Sequence, residues 1–186
     1  TPSACEGTMT LFPVPYLPAW DETNKPYAFL SQSGQLYLEA AISSLGKVYD
    51  FGPTFRAEKS KTKRHLTEFW MMDAEAAFLE YAELLNFEEK MILAVVQDVL
   101  NNRAPELKIL ERDLQPLQKL QSPFLRLTYR ETLQKLRELG SDIKDGEDLG
   151  NDDETILMTH FQQPLFVMKF PSTFKAFYFK RDDKDP

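Results

Sequence analysis

Residues 55–69 constrain the fold of this chain more than any other stretch. Apolar residues flank a dense run of positive charge at residues 59–65. We therefore predict two strands joined by a cationic loop, a hairpin suited to an anionic ligand. Because side chains alternate between the two faces of a strand, Arg56 and Glu58 share one face. The same rule groups four residues on one face of the return strand: Phe69, Met71, Asp73 and Glu75.

The residue types of this hairpin fit a nucleotide. Arg56 offers a planar fork for a phosphate or a carboxylate. Glu58 can accept from an amino group such as the exocyclic amine of adenine, and Phe69 offers a flat face to a purine. Positive charge for a polyphosphate tail comes from Lys59, Lys61, Lys63, Arg64 and His65. Judged on these residues alone, a solvated basic hairpin with Phe69 in the core is an equally good interpretation.

Composition narrows the classes of protein. A chain of 186 residues with 42% hydrophobic and 27% charged residues fits an ordinary soluble domain with one core. The net charge of -7 argues against a protein that coats nucleic acid, so any such contact must be local. One cysteine excludes an internal disulfide, and with only two histidines we predict no metal site within the chain. No apolar run is long enough to span a membrane, so we expect a cytoplasmic protein without a membrane partner.

The hydrophobic patterns predict a mixed α+β domain with a mainly antiparallel sheet flanked by helices, because hairpin-like strand pairs outnumber βαβ units. Ser33 precedes a helical stripe that ends at Gly46, and a longer stripe at residues 81–99 precedes Pro105. A further helix is predicted around residues 129–139.

Strands are predicted at four places: residues 48–58 with a bend at Gly52-Pro53, residues 66–78, residues 164–170 and residues 176–180. Residues 141–154 carry seven carboxylates without the spacing of a calcium loop. We interpret that segment as a solvated acidic linker.

Five segments resemble the class IIb aminoacyl-tRNA synthetases, the group that serves asparagine, aspartate and lysine. They are residues 1–7, 27–37, 51–58, 64–71 and 175–178. Residues 55–69 are similar to motif 2, the ATP-binding hairpin of that family. The resemblance covers nearly the whole chain and is greatest for the asparaginyl members. It implies that residues 1–186 are part of a class II catalytic domain, without motif 1, motif 3 or the anticodon-binding domain.

The resemblance also implies roles for individual residues. Arg56 would be the catalytic residue, bridging the amino acid carboxylate and the α-phosphate of ATP. The expected ATP-binding residues are Arg56, Glu58, Arg64, His65, Leu66 and Phe69. The expected amino-acid-binding residues are Glu6, Ser33, Gln35, Leu38 and Asp73.

The reaction implied is ATP-dependent activation of L-asparagine to asparaginyl-adenylate, followed by transfer to tRNA(Asn). Such chemistry needs positioning and charge stabilisation rather than a nucleophile–histidine–acid set. Mg²⁺ is expected with ATP, its ligands mostly beyond residue 186. A homodimer is expected for the full-length protein, and residues 1–186 alone are expected to be inactive.

Two alternatives remain open at this point. One is an aspartyl-tRNA synthetase, including a non-discriminating form, since Asp73 stands where asparaginyl members usually carry Glu. Aspartyl members, however, have Lys at the position of Leu38 and Pro at the position of Gly34. Without that cation a second substrate carboxylate would be left unpaired at a high cost, which favours asparagine. The other alternative is a synthetase-derived paralogue that serves asparagine metabolism without charging tRNA.

Overall fold

The chain forms two compact units, Thr1–Leu79 and Glu80–Pro186. In this computed structural model the described residues are 10–15, 27–58, 65–173 and 175–182. Both units combine helices with strands, so the predicted α+β class is confirmed. Two of the described strand pairs are antiparallel, and a third is parallel.

A long hairpin dominates the first unit. Its elements in chain order are β1 (Pro13–Pro15), β2 (Tyr27–Phe29), α1 (Gln35–Leu45), β3 (Lys47–Phe55) and β4 (Glu68–Ala76). The antiparallel register of β3 and β4 runs from Lys47 opposite Ala76 to Phe55 opposite Glu68. The two strands predicted on either side of the cationic segment are therefore present and paired.

Helix α1 begins and ends where the sequence predicts. The Ser33 hydroxyl oxygen accepts from the Gln35 N–H at 3.0 Å, satisfying a donor that the first turn leaves free. Gly46 ends the helix at φ 74°, a conformation that glycine adopts without steric cost. Leu38 is buried where α1 packs against β3 and β4.

The bend predicted at Gly52-Pro53 was wrong, because β3 continues through both residues. Gly52 lies opposite Met71, and Pro53 lies opposite Trp70. Opposite pairs in an antiparallel ladder alternate between hydrogen-bonded and non-bonded positions. A proline fits such a strand where its missing N–H does not face the partner.

The second unit packs helices on a short parallel strand pair. Its elements are α2 (Tyr81–Asn102), α3 (Ala104–Ile109), α4 (Gln115–Gln118), β5 (Leu125–Thr128), α5 (Tyr129–Glu138), α6 (Asn151–Phe161) and β6 (Leu165–Met168). Its buried core consists of Tyr129, Leu133, Leu136, Ile143 and Leu157.

The acidic segment is not entirely a linker, because α6 begins at Asn151. Three of its acids, Asp152, Asp153 and Glu154, lie in the first turn of the helix, where negative charge is favourable. The Asp153 carboxylate also accepts from the Gly150 N–H at 3.0 Å. Clustered acids therefore marked a helix start.

The strand predicted at residues 176–180 was also wrong, because these residues form a turn. The Phe179 N–H donates to the Ala176 carbonyl at 3.1 Å. Alternating aromatic residues form a strand only beside a neighbouring strand, and none pairs with this segment in the described part of the chain.

Candidate nucleotide and amino acid site

Arg56 follows β3 directly and points its guanidinium back over the hairpin. Nη2 lies 3.5 Å from the Gln32 carbonyl oxygen and 3.8 Å from the Met71 sulfur. Cζ lies 5.6 Å from the centre of the Phe69 ring, within the range of a cation–π contact. The predicted grouping of Arg56, Phe69 and Met71 on one face is thus present.

Two buried polar atoms beside this face have no hydrogen-bond partner among the described residues: Nε of Arg56 and Oγ1 of Thr10. Both belong to one packed cluster. The Thr10 carbonyl accepts from the Ala57 N–H at 3.0 Å and from Nε2 of Gln32 at 2.8 Å. Unpartnered buried polar groups are rare in folded proteins and require an explanation. An anionic ligand at this face would satisfy the Arg56 donor.

Asp73 holds the loop that precedes α1. Its Oδ2 accepts from the Ser33 hydroxyl at 2.8 Å and from the Gly34 N–H at 3.1 Å. Ser33 is buried, so these bonds fix the loop against the strand. The predicted amino-acid-binding residues Ser33 and Asp73 are therefore in direct contact, on the same strand face as Phe69.

The sequence analysis missed Asp50. It lies on β3 directly opposite Asp73, and its carboxylate lies against Gly34. The signal was available, because Asp50 and Arg56 are separated by an even number of strand residues and so share a face. Attention to the cationic segment alone left this acid out.

The region between α1 and β4 is electrostatically negative. Burial raises the pKa of the Glu75 carboxyl, and the charges of Glu39 and then Asp73 raise it further. Three carboxylates thus act on one another here, while the guanidinium of Arg56 lies farther along the hairpin. An acidic end and a cationic end share one face, which suits a ligand with an amino or amide group and a phosphate.

The other predicted residues are less tightly organised. The Gln35 side chain donates to Glu39 at 3.1 Å on the exposed side of α1, and Leu38 is in the packed interface. Glu58 is half-buried, whereas His65 and Leu66 are exposed. No contact joins these residues to Arg56 in the described part of the chain. Glu6 and Arg64 lie outside the described residues.

Within the described residues, no cluster of three or more His, Cys, Asp or Glu side chains has the arrangement of a metal site. In the same residues, no helix is long and apolar enough to cross a membrane.

The match to a family of known proteins extends over the whole chain. The family described as tRNA synthetases class II (D, K and N) matches residues 1–186. The chain therefore belongs to the class II tRNA synthetases of this group.

The relatives and solved structures point to one branch of that family. The asparagine–tRNA ligase of Desulforamulus reducens is 46% identical over 185 residues, covering 100% of this chain and 42% of the relative. The asparagine–tRNA ligase of Koribacter versatilis is 49% identical, covering 98% of this chain and 41% of the relative. The crystal structure of asparaginyl-tRNA synthetase from Pyrococcus horikoshii complexed with asparaginyl-adenylate superposes with a TM-score of 0.86 at 43% identity, over 99% of this chain and 41% of that one. The chain spans about two fifths of the length of these relatives.

Proposed function

We propose that the protein carrying this chain activates L-asparagine with ATP to asparaginyl-adenylate and transfers the asparaginyl group to tRNA(Asn). The α-carboxylate oxygen of asparagine attacks the α-phosphorus of ATP, and pyrophosphate leaves. The 3′-terminal hydroxyl of the tRNA then attacks the acyl carbon, and AMP leaves. The protein is an aminoacyl-tRNA ligase that functions in translation.

The observation that carries this proposal is the buried, unpartnered Nε of Arg56 on the face shared with Phe69 and Asp73. A guanidinium held by one carbonyl, one sulfur and one ring keeps donors free for an anion. Charge develops on the α-phosphate during the attack, and preorganised donors aimed there lower the barrier. The relatives named above support asparagine as the amino acid.

The remaining residues take the roles that the family resemblance implies. We propose that Glu58 and Phe69 bind adenine, and that Arg64, His65 and Leu66 lie near the outer phosphates. We propose that Glu6, Ser33, Gln35, Leu38 and Asp73 form the amino acid pocket. In this scheme residues 1–186 are part of one catalytic domain, with motif 2 at residues 55–69.

The proposal extends to the surroundings of this site. Tyr49, Phe51, Trp70 and Met72 form an exposed apolar face on the other side of the hairpin, with the Phe51 and Trp70 ring centres 5.1 Å apart. A sheet face of this kind requires a cover, which supports a mainly antiparallel sheet flanked by helices in the whole protein. We also propose a cytoplasmic homodimer. Mg²⁺ would accompany ATP, but the described residues alone do not fit a metal site.

The test is amino-acid-dependent exchange of pyrophosphate into ATP, followed by charging of tRNA(Asn). A polypeptide of the relatives' full length that carries these residues is assayed with asparagine, aspartate and lysine. Exchange and charging with asparagine are expected, and residues 1–186 alone are expected to be inactive. Preference for aspartate would identify an aspartyl enzyme. Exchange without tRNA charging would identify a metabolic paralogue.

A further inference from the structure

Asp50 is an acidic residue of the site face to which no role has been given above. It lies opposite Asp73 in the β3–β4 register. Directly opposite residues of an antiparallel pair have Cβ atoms about 5 Å apart. Two carboxylates therefore stand side by side on the face that carries Arg56, although like charges in that position destabilise a sheet. A stability cost at this place suggests a functional reason for it.

Gly34 makes room for the Asp50 carboxylate. A Cβ atom at residue 34 would lie 1.8 Å from Oδ2 and 2.4 Å from Cγ of Asp50. Any larger residue would force that carboxylate to move. The Gly34 N–H meanwhile donates to Asp73 at 3.1 Å. The backbone of the loop before α1 thus contacts both carboxylates at once.

Asp50 retains the capacity to accept hydrogen bonds. Its side chain is half-buried, and within the described residues no hydrogen bond or ion pair reaches its carboxylate. Both bonds to Asp73 end on Oδ2. The side-chain amide of asparagine brings two N–H donors, whereas the carboxylate of aspartate brings a negative charge and no donor. A third negative charge beside two carboxylates is disfavoured.

We propose that Asp50 is a second specificity-determining residue, which acts with Asp73 to accept the side-chain amide of asparagine and to exclude aspartate. This inference rests on the proposed function and deepens it. It assigns selection of the amino acid to the acidic pair, separate from the chemistry at Arg56. Gly34 is the residue that permits the pair to stand beside the pocket.

Two substitutions test the proposal in the polypeptide of the relatives' full length. Asp50→Asn keeps the shape of the side chain and removes its charge. Gly34→Ala keeps the N–H that bonds Asp73 and suits the backbone at φ -84° and ψ -8°, yet displaces the Asp50 carboxylate. The readout is the ratio of kcat/KM for asparagine to kcat/KM for aspartate in pyrophosphate exchange. We expect this ratio to fall by about tenfold or more in both variants, chiefly through better use of aspartate.

Glu68→Gln is the matched control, since Glu68 is exposed on β4 and alternates away from Asp73. It removes a similar charge and should leave the ratio unchanged. Thermal unfolding verifies that each variant folds, and Gly34→Ala carries the test if Asp50→Asn does not. An unchanged ratio in the folded variants overturns the role of Asp50 and leaves the proposed function standing. Absence of asparagine-dependent exchange in the wild-type polypeptide would instead overturn the proposed function.

Discussion

At the scale of single residues, Arg56 and Leu38 show how differently two predicted site residues are held. The Arg56 guanidinium has a buried nitrogen with no partner in the described residues, and its neighbours are soft or neutral groups. Leu38 fills the interface between α1 and the hairpin. It lies one turn after Gly34, whose carbonyl accepts from the Leu38 N–H at 3.1 Å. Residues four apart on a helix lie on the same side, so position 38 is on the side of the acidic pair.

Leu38→Lys is therefore expected to lower the preference for asparagine over aspartate. A lysine at this position can pair with Asp73 or with an incoming carboxylate, and either pairing penalises the neutral amide. The kcat/KM ratio in pyrophosphate exchange should fall about tenfold or more. Leu38→Met is the control, because it conserves volume and costs little stability. A folded Leu38→Lys variant with an unchanged ratio would mean that Leu38 contributes packing alone.

At the scale of secondary structure, a buried carboxylate ties α2 to the segment that leads into β5. Glu89 is buried on α2, where its two oxygens accept from the Ser122 hydroxyl and from the Phe124 N–H, the latter at 2.9 Å. These two hydrogen bonds, with the Ser122 bond the larger cause, lower the pKa of Glu89. The next acid on the helix behaves oppositely, because burial raises the pKa of Glu88.

Glu89→Gln should lower the Tm at neutral pH, because a carboxamide cannot replace two charge-assisted acceptors. A lowered folded-state pKa gives stability that is present above the unfolded value of 4.5 and is lost as pH falls through the folded value. The Tm difference between wild type and variant should therefore shrink in acid. Thermal unfolding followed by circular dichroism at several pH values measures it.

Glu88→Gln provides the control for this comparison. A raised folded-state pKa means that the charged form is disfavoured in the fold, so stability falls as pH rises through that pKa. Removing the charge should leave the Tm at neutral pH unchanged or slightly higher. Equal destabilisation by both substitutions would indicate that the hydrogen bonds of Glu89 are not the cause.

Elements with local signals were predictable from the sequence, whereas elements that depend on distant neighbours were not. The stripe and Gly46 predicted α1, and the charge pattern predicted the β3–β4 hairpin. The α6 start was missed because acids suit both a solvated loop and a helix N-terminus. The strand expected at residues 176–180 lacked only its partner, which no local pattern reveals.

The site was predictable to a similar extent. Strand alternation and the family resemblance brought together Arg56, Phe69 and Asp73, and the structure has the three on one face. Two facts needed three-dimensional structure: the register that pairs Asp50 with Asp73 and the close approach of Gly34. Cross-strand register depends on both strands together, so one strand's sequence did not give it.

At the scale of the whole molecule, every described candidate site residue lies in the unit Thr1–Leu79. The unit Glu80–Pro186 has its own core, around Leu136 and Leu157. Substitutions in the first unit therefore test catalysis, and exposed residues of the second unit supply controls for charge. Arg112 is such a residue, since it is exposed after α3.

The most direct test of the account is asparagine-dependent pyrophosphate exchange by Arg56→Ala in the polypeptide of the relatives' full length. If Arg56 stabilises charge on the α-phosphate, its loss should reduce kcat/KM by about a hundredfold or more, while Arg112→Ala keeps wild-type activity. Thermal unfolding should show that both variants remain folded. Exchange by Arg56→Ala within about tenfold of the wild-type rate would contradict the assignment of this face as the site of asparagine activation.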